Sequence, residues 1–225
     1  ELDFIKRNKN ISIFVYDYTV SIWPYLKKIW KYFRRYLTFR ASLDDVKIRL
    51  RNYKEYRDFL NLDNVKFYQE KITYPMKAKI DTDINKVLSR IKKNSDVILK
   101  CDIEGNEYLV IDQILEHSNR IQMLIFEFHW IDKNESAFTD SIKKLQKKYE
   151  IIHIHANNHY QTLKNGLPII LEITLLNKKF SSNKCEYVNN FPIKNLDFPN
   201  NPFLEDIEFS FKYWKNNKIQ FLTSK

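Results

Sequence analysis

Glycine is nearly absent. The 225 residues contain two, Gly105 and Gly166, where average usage would give roughly 16. No P-loop and no G-x-G-x-x-G can be written with them, so a phosphate cradle of glycine backbone is excluded. Cysteine is equally scarce: Cys101 and Cys185 are too few for a disulfide framework and suit a reducing cytoplasm as ordinary thiols. No apolar run reaches the roughly 18 residues of a membrane span, because the longest candidates are interrupted by Glu127 and Glu172. Leu2 to Val15 lacks the order of a signal peptide. There is no internal repeat.

What is present is ordinary for one sizeable globular domain: 44% hydrophobic and 29% charged residues, enough to bury a core. The net charge of +10 invites an anionic partner, but its distribution says more. Between Asp17 and Asp44 there is no acid, while Lys27, Lys28, Lys31, Arg34, Arg35 and Arg40 are interleaved with aromatic residues. Ile22, Leu26, Ile29, Phe33 and Leu37 recur at spacings of three and four, which predicts an amphipathic helix with a basic outer face. A solvated face is preferred to a nucleic-acid or membrane surface, since charge alone says little about function.

Ile11 to Tyr16 reads as a buried strand, followed by the basic helix, a second helix over Leu43 to Leu60, and a strand at Val65 to Tyr68. A helix over Asp83 to Lys92 has Asp81, Thr82 or Asp83 available as its N-cap. Val97 to Ile103, Asn106 to Glu116, Ile121 to Ile131 and Ser136 to Tyr149 alternate strand, helix, strand, helix, the pattern of βαβ units with a parallel sheet. Ile151 to Ala156 and Leu167 to Leu176 have no room for a helix between them, so they should pair antiparallel. From Phe180 onward Asn, Pro and Ser dominate, predicting a tail (180–225) packed over a single domain (1–225).

Ligands of open parallel sheets bind outside the carboxyl ends of the strands. The polar residues there are Asp17, then Asp102 and Glu104, then Glu127 and His129, then His153, His155 and Asn157. If the strands carrying Asp102 and Glu127 are neighbours, carboxylates and imidazoles converge. Asp102 closes an apolar run, where an unpaired carboxylate costs several kcal/mol. Glu104 and Asn106 read equally as helix caps, and His129 and His155 as core histidines bonded to backbone carbonyls. The spacings D-x-E, E-x-H and H-x-H are not those of a zinc motif. Gly105, between strand and helix, permits a sharp turn.

LKCDIEGNEYLVIDQIL, followed at about twenty residues by LIFEFHWI, resembles the FkbM-type family of S-adenosylmethionine-dependent methyltransferases in its bacterial subgroup. IFVYDYTVS is similar to the family's second strand, and IIHIHANN with NGLPIILEITLL and FPIKNLDFPNNP to its carboxyl-terminal portion. The resemblance implies an α/β fold with a Rossmann-like class I methyltransferase sheet of seven strands, mostly parallel with a final antiparallel strand. It implies Asp17, with Thr19, on the ribose hydroxyls of S-adenosylmethionine, and Asp102 near the methionine moiety and the acceptor. His129 is then the general base or acceptor-orienting group, with Glu127 or Glu104 fixing it, and His155 and Asn157 face the substrate. The family's first strand and glycine-rich loop should precede Ile11 and lie outside this sequence, which opens at Glu1 as if cut from a longer chain.

The expected activity is methyl transfer to an oxygen or nitrogen of a small metabolite or a sugar or glycan precursor, with no metal. A metal-dependent hydrolase built on Asp102, Glu104, Glu127 and His129 stays open beside it, as does a non-catalytic basic binding module on the Trp23 to Arg40 helix. Residues lining the pocket should come from Asn157 to Gly166 and from the tail.

Overall fold

The computed structural model describes residues 2–8, 10–19, 22–160, 162–163, 166–181, 190–212 and 220–222. The architecture is mixed α/β, and the chain divides into two compact units, Glu1–Ile72 with Lys77–Thr82, and Thr73–Met76 with Asp83–Lys225.

The first unit contains α1 (Leu2–Arg7), β1 (Ile13–Tyr16), α2 (Ile22–Leu37), α3 (Leu43–Leu60), β2 (Val65–Tyr68), β3 (Lys71–Ile72) and β4 (Asp81–Thr82). β1 pairs in parallel with β2, and β3 in parallel with β4. The start of α3 is set by a capping box. Ser42 Oγ accepts from Asp45 N at 3.1 Å while Ser42 N donates to Asp45 Oδ2 at 2.8 Å, which satisfies two orphan donors of the first turn.

One expectation for α2 is overturned. Leu26, Phe33 and Leu37, read as part of the buried stripe, are exposed. The face turned to α3 carries Tyr25, stacked on Tyr56 with ring centroids 4.8 Å apart, and Tyr32, covered by the Arg49 guanidinium at 4.6 Å. Ile29 lies half-buried on the same face. Half of the helix circumference is apolar or aromatic, so periodicity alone could not choose which half packs.

The second unit contains α4 (Ile84–Ser89), β5 (Val97–Cys101), α5 (Glu107–Glu116), β6 (Ile121–Phe128), α6 (Ile131–Leu145), β7 (Tyr149–Ala156), β8 (Leu171–Asn177), β9 (Asn190–Phe191), β10 (Phe209–Lys212) and β11 (Gln220–Leu222). Asp83 is the N-cap of α4, its Oδ1 accepting from Lys86 N at 2.8 Å. The main sheet has the order β5-β6-β8-β7, with β5 and β6 parallel and β8 antiparallel to both of its neighbours. The antiparallel pairing of the two late apolar runs is therefore present, with the last strand inserted between β6 and β7. Among the described residues, no seven strands join in one hydrogen-bonded sheet.

Along β6, Leu124, Phe126 and Phe128 alternate into the core with no exposure, the period-two pattern of a strand with one buried face. Phe138 of α6 meets the Phe128 ring edge-on at 5.3 Å. Each such ring contributes roughly 1.5–3 kcal/mol by burial, which makes this strand the rigid floor of the site at its carboxyl end. The expected helix over Ser136 to Tyr149 starts earlier, at Ile131, and ends at Leu145. Its N-cap Trp130 has φ 55°, so the chain leaves β6 in one left-handed step. Residues 182–189, including Cys185, and Asn165 lie outside the described residues. No described helix is long and apolar enough to cross a membrane.

Candidate functional site

Parallel pairing of β5 with β6 sets Cys101 opposite Phe126, so the chain beyond each strand emerges at one edge. There Asp102, Glu104, Glu127, His129, Trp130, Asn157, His159, Tyr160 and Ile170 line a cavity of about 210 Å³. That is below the roughly 300–1,000 Å³ of pockets for drug-sized ligands, so the cavity accommodates a reacting end or a small group.

The turn from β5 into α5 is strained. Glu104 and Gly105 both have positive φ, 55° and 97°, and a non-glycine residue in that region is held there only by its surroundings. The holder is Glu107, fully buried in the first turn of α5. Its Oε1 accepts from Ile103 N at 3.0 Å, from Gly105 N at 3.1 Å and pairs with His129 Nδ1 at 3.0 Å. A Cβ at Gly105 would lie 3.1 Å from Trp130 Cδ1. Glycine is thus favoured by its φ, and a Cβ there would press on the indole across the turn.

His129 is 4% exposed. Besides Glu107, its Nδ1 lies 3.0 Å from the Glu127 carbonyl. Nε2 faces Glu104 Oε2 at 3.7 Å and Asp102 Oδ1 at 3.9 Å. Burial pushes the imidazole pKa down, but the hydrogen bond to Glu107 and the charges of Glu107, Glu127 and Glu104 outweigh it and raise it to about 9. At neutral pH the ring is therefore an imidazolium with an N–H turned to the cavity. The carboxylate that fixes it is Glu107, where the sequence pointed to Glu127 or Glu104: Glu107 reaches Nδ1 from behind, while Glu104 faces the other nitrogen.

Glu127 is half-buried and its carboxyl is pushed up, chiefly by burial and further by Asp102 and Glu172, against the hydrogen bond from Asn157. That bond, Asn157 Nδ2 to Glu127 Oε1, is 2.8 Å. Asp102, expected within an apolar run, lies just past the strand and is exposed.

His155 does not join the cavity lining. Its Nδ1 lies 3.5 Å from Glu172 and its Nε2 3.1 Å from Asp206, so it ties the tail to the sheet. Neighbouring His153 pairs with Asp197 at 2.7 Å. In the first unit, Asp17 Oδ1 accepts from Thr19 N at 2.8 Å and Thr19 Oγ1 at 2.6 Å, an arrangement that orients the carboxylate at the end of β1. Sequence reasoning missed Glu107 and Trp130; His159 and Tyr160 belong to the Asn157 to Gly166 stretch expected to line the pocket, whereas no described tail residue lines it. Glu107 had a signal, as the closing acid of D-I-E-G-N-E; Trp130 had none.

The Nε2 of His129 and the carboxylates of Asp102 and Glu104 offer ligand atoms all within 4.8 Å of one another, enough to hold a metal ion. Chemically the cavity offers carboxylates, one imidazolium N–H and the rings of Trp130 and Tyr160, which meet edge-on at 5.5 Å. That combination attracts a cation and can orient a polar acceptor beside it. Compared with protein-family models, with curated proteins and with solved structures, the chain matches none.

Proposed function

We propose that the chain is an S-adenosylmethionine-dependent methyltransferase acting on an oxygen or nitrogen of a small metabolite or a sugar or glycan precursor. The observation that carries this reading is the meeting of the D-I-E-G turn and the E-F-H strand end in one acidic, aromatic-edged cavity. The order β5-β6-β8-β7, with its final strand inserted antiparallel, supports a Rossmann-like methyltransferase sheet. The donor set suits the cofactor, because carboxylates and aromatic faces favour a sulfonium and an ammonium group. When bound, the cofactor supplies an activated methyl group on positively charged sulfur.

The chain's own residues do the rest. Asp17, oriented by Thr19, is the group that the family resemblance assigns to the ribose hydroxyls. Asp102 and Glu104 hold positive charge at the turn. The His129 imidazolium donates from Nε2 to orient the acceptor, which makes it a positioning group at neutral pH and a base only above about pH 9. Glu127, its carboxyl raised, receives the acceptor's proton. Alignment of the acceptor then provides much of the acceleration.

Isothermal titration of the full-length protein with S-adenosylmethionine and its demethylated product tests this. Binding that is weakened at least about tenfold in Asp17→Asn and Asp102→Asn supports it, each lost charge-assisted bond being worth about 1.5–3 kcal/mol. No heat with either compound overturns it.

The metal-compatible trio of Asp102, Glu104 and His129 favours a second reading, a metal-dependent hydrolase. It requires a thermal shift with Mg²⁺, Mn²⁺ or Zn²⁺ that Asp102→Asn abolishes, and a protein indifferent to all three ions rejects it.

A further inference from the structure

We infer that α2 and the residues just after it form a peripheral docking edge for an anionic phospholipid surface. The helix carries two apolar faces. Tyr25, Ile29 and Tyr32 turn towards α3. The other face carries Trp23, Leu26, Trp30, Phe33 and Leu37, exposed by 70%, 42%, 60%, 39% and 60%. Their spacing of three, four, three and four sets them in one stripe along the helix. Phe39, just past the helix end, is 98% exposed. A contiguous apolar stripe of this kind marks an interaction surface, whereas scattered exposed residues do not.

The stripe's flank identifies its occupant. Lys27, Lys31 and Arg34 follow it at helical spacing and are all exposed, and no acid occurs between Asp17 and Asp44. A second copy seated on this face would bring two sets of Lys27, Lys31 and Arg34 together, and α2 itself has no carboxylate to pair them. A nucleic acid would satisfy the cations but leave Leu26, Phe33 and Leu37 unburied. An anionic bilayer surface satisfies both: the apolar stripe enters the headgroup boundary, tryptophans suit that interface, and lysines and arginine reach the lipid phosphates on flexible stems. At 16 residues, about 24 Å long, the helix lies in the interface rather than crossing it.

Flotation of the full-length protein with vesicles tests this. With phosphatidylcholine mixed with phosphatidylglycerol the protein should float, with phosphatidylcholine alone it should stay behind, and moderate salt should lower the bound fraction. The double variant Trp30→Ser, Phe33→Ser and the triple variant Lys27→Glu, Lys31→Glu, Arg34→Glu should each reduce binding about tenfold or more, with unchanged circular dichroism. Phe203→Ser, at an exposed residue elsewhere, should bind as the parent does. Equal binding to both vesicle types, no binding, tighter binding to a DNA duplex, or self-association that the same variants abolish would each overturn the assignment.

Discussion

His129 and His155 sit close in register in one sheet, since His155 lies opposite Glu172 and Glu172 opposite Glu127. Both are buried, and both have a pKa raised to about 9. The causes differ in order. For His155 the hydrogen bond to Glu172 comes first, opposed by burial and reinforced by Asp206; for His129 burial is the largest influence and the surrounding acids overcome it. The decisive difference is geometric. His155 has carboxylates at 3.5 and 3.1 Å on its two nitrogens and does not line the cavity, whereas the Nε2 of His129 faces its carboxylates at 3.7 and 3.9 Å and His129 lines the cavity. A raised pKa therefore reports a cage of acids, and the candidate site is marked by the nitrogen the cage leaves open.

The hardest blow to this contrast is Glu107→Ala. It strips two backbone N–H groups and the imidazolium of their shared acceptor, and should cost about 3–5 kcal/mol in urea unfolding at neutral pH. Glu107→Gln keeps the shape, and by NMR titration it should lower the pKa of His129 while leaving that of His155 in place. A matched shift at both histidines would dissolve the comparison.

Next comes the pair His129→Gln and His155→Gln. The first should reduce the proposed methyl transfer about 10²-fold through lost alignment of the acceptor, and lose about 3 kcal/mol of stability, because it leaves the fully buried Glu107 carboxylate without its cation. The second should leave the kcat/KM of the folded protein within about threefold and lose about 1–3 kcal/mol of stability, from the unsatisfied carboxylates it leaves behind. Steady-state kinetics beside thermal melts checks both, and equal kinetic losses would show that the distinction is false.

A pH series sharpens the point. Each histidine has a folded pKa above its ordinary value, so its stabilisation is complete below about 6.5 and is lost as pH rises through about 9. The Tm should fall across that window, less steeply in either single variant. Tm rising from pH 6.5 to 9 contradicts the cages. Gly105→Ala should have a smaller effect on stability, about 1–2 kcal/mol for a Cβ at positive φ facing Trp130, and Asn200→Ala the smallest. Its exposed 2.8 Å bond to Glu172 is worth about 0.5–1.5 kcal/mol.

Much of the second unit was legible in advance. Continuous apolar runs bounded by turn residues mark β5 and β6, the short polar stretch between the late runs leaves only an antiparallel pairing, and Asp83 is one of three candidate caps from which the structure selects it. The candidate site was half legible: Asp102, Glu104, Glu127 and His129 stand at strand ends, but nothing local assigns Glu107 to His129 or His155 to Asp206. Those pairs are 22 and 51 residues apart, and they depend on how the strands and tail come together.

Sequence by itself determined the periods: which stretches are strands, which are helices, where the one tight glycine turn falls, and where acids are missing. Such patterns follow from backbone geometry and neighbours a few residues away. Only the tertiary structure decided which half of α2 packs, which carboxylate holds each histidine, and which imidazole nitrogen stays open. The reason is physical. A helix with two apolar faces has no local preference between them, and a buried charge takes whichever opposite charge the fold delivers to it. Even the scarcity of glycine gained its meaning there, since Gly105 combines a positive φ with a close approach to an indole 25 positions further along the chain.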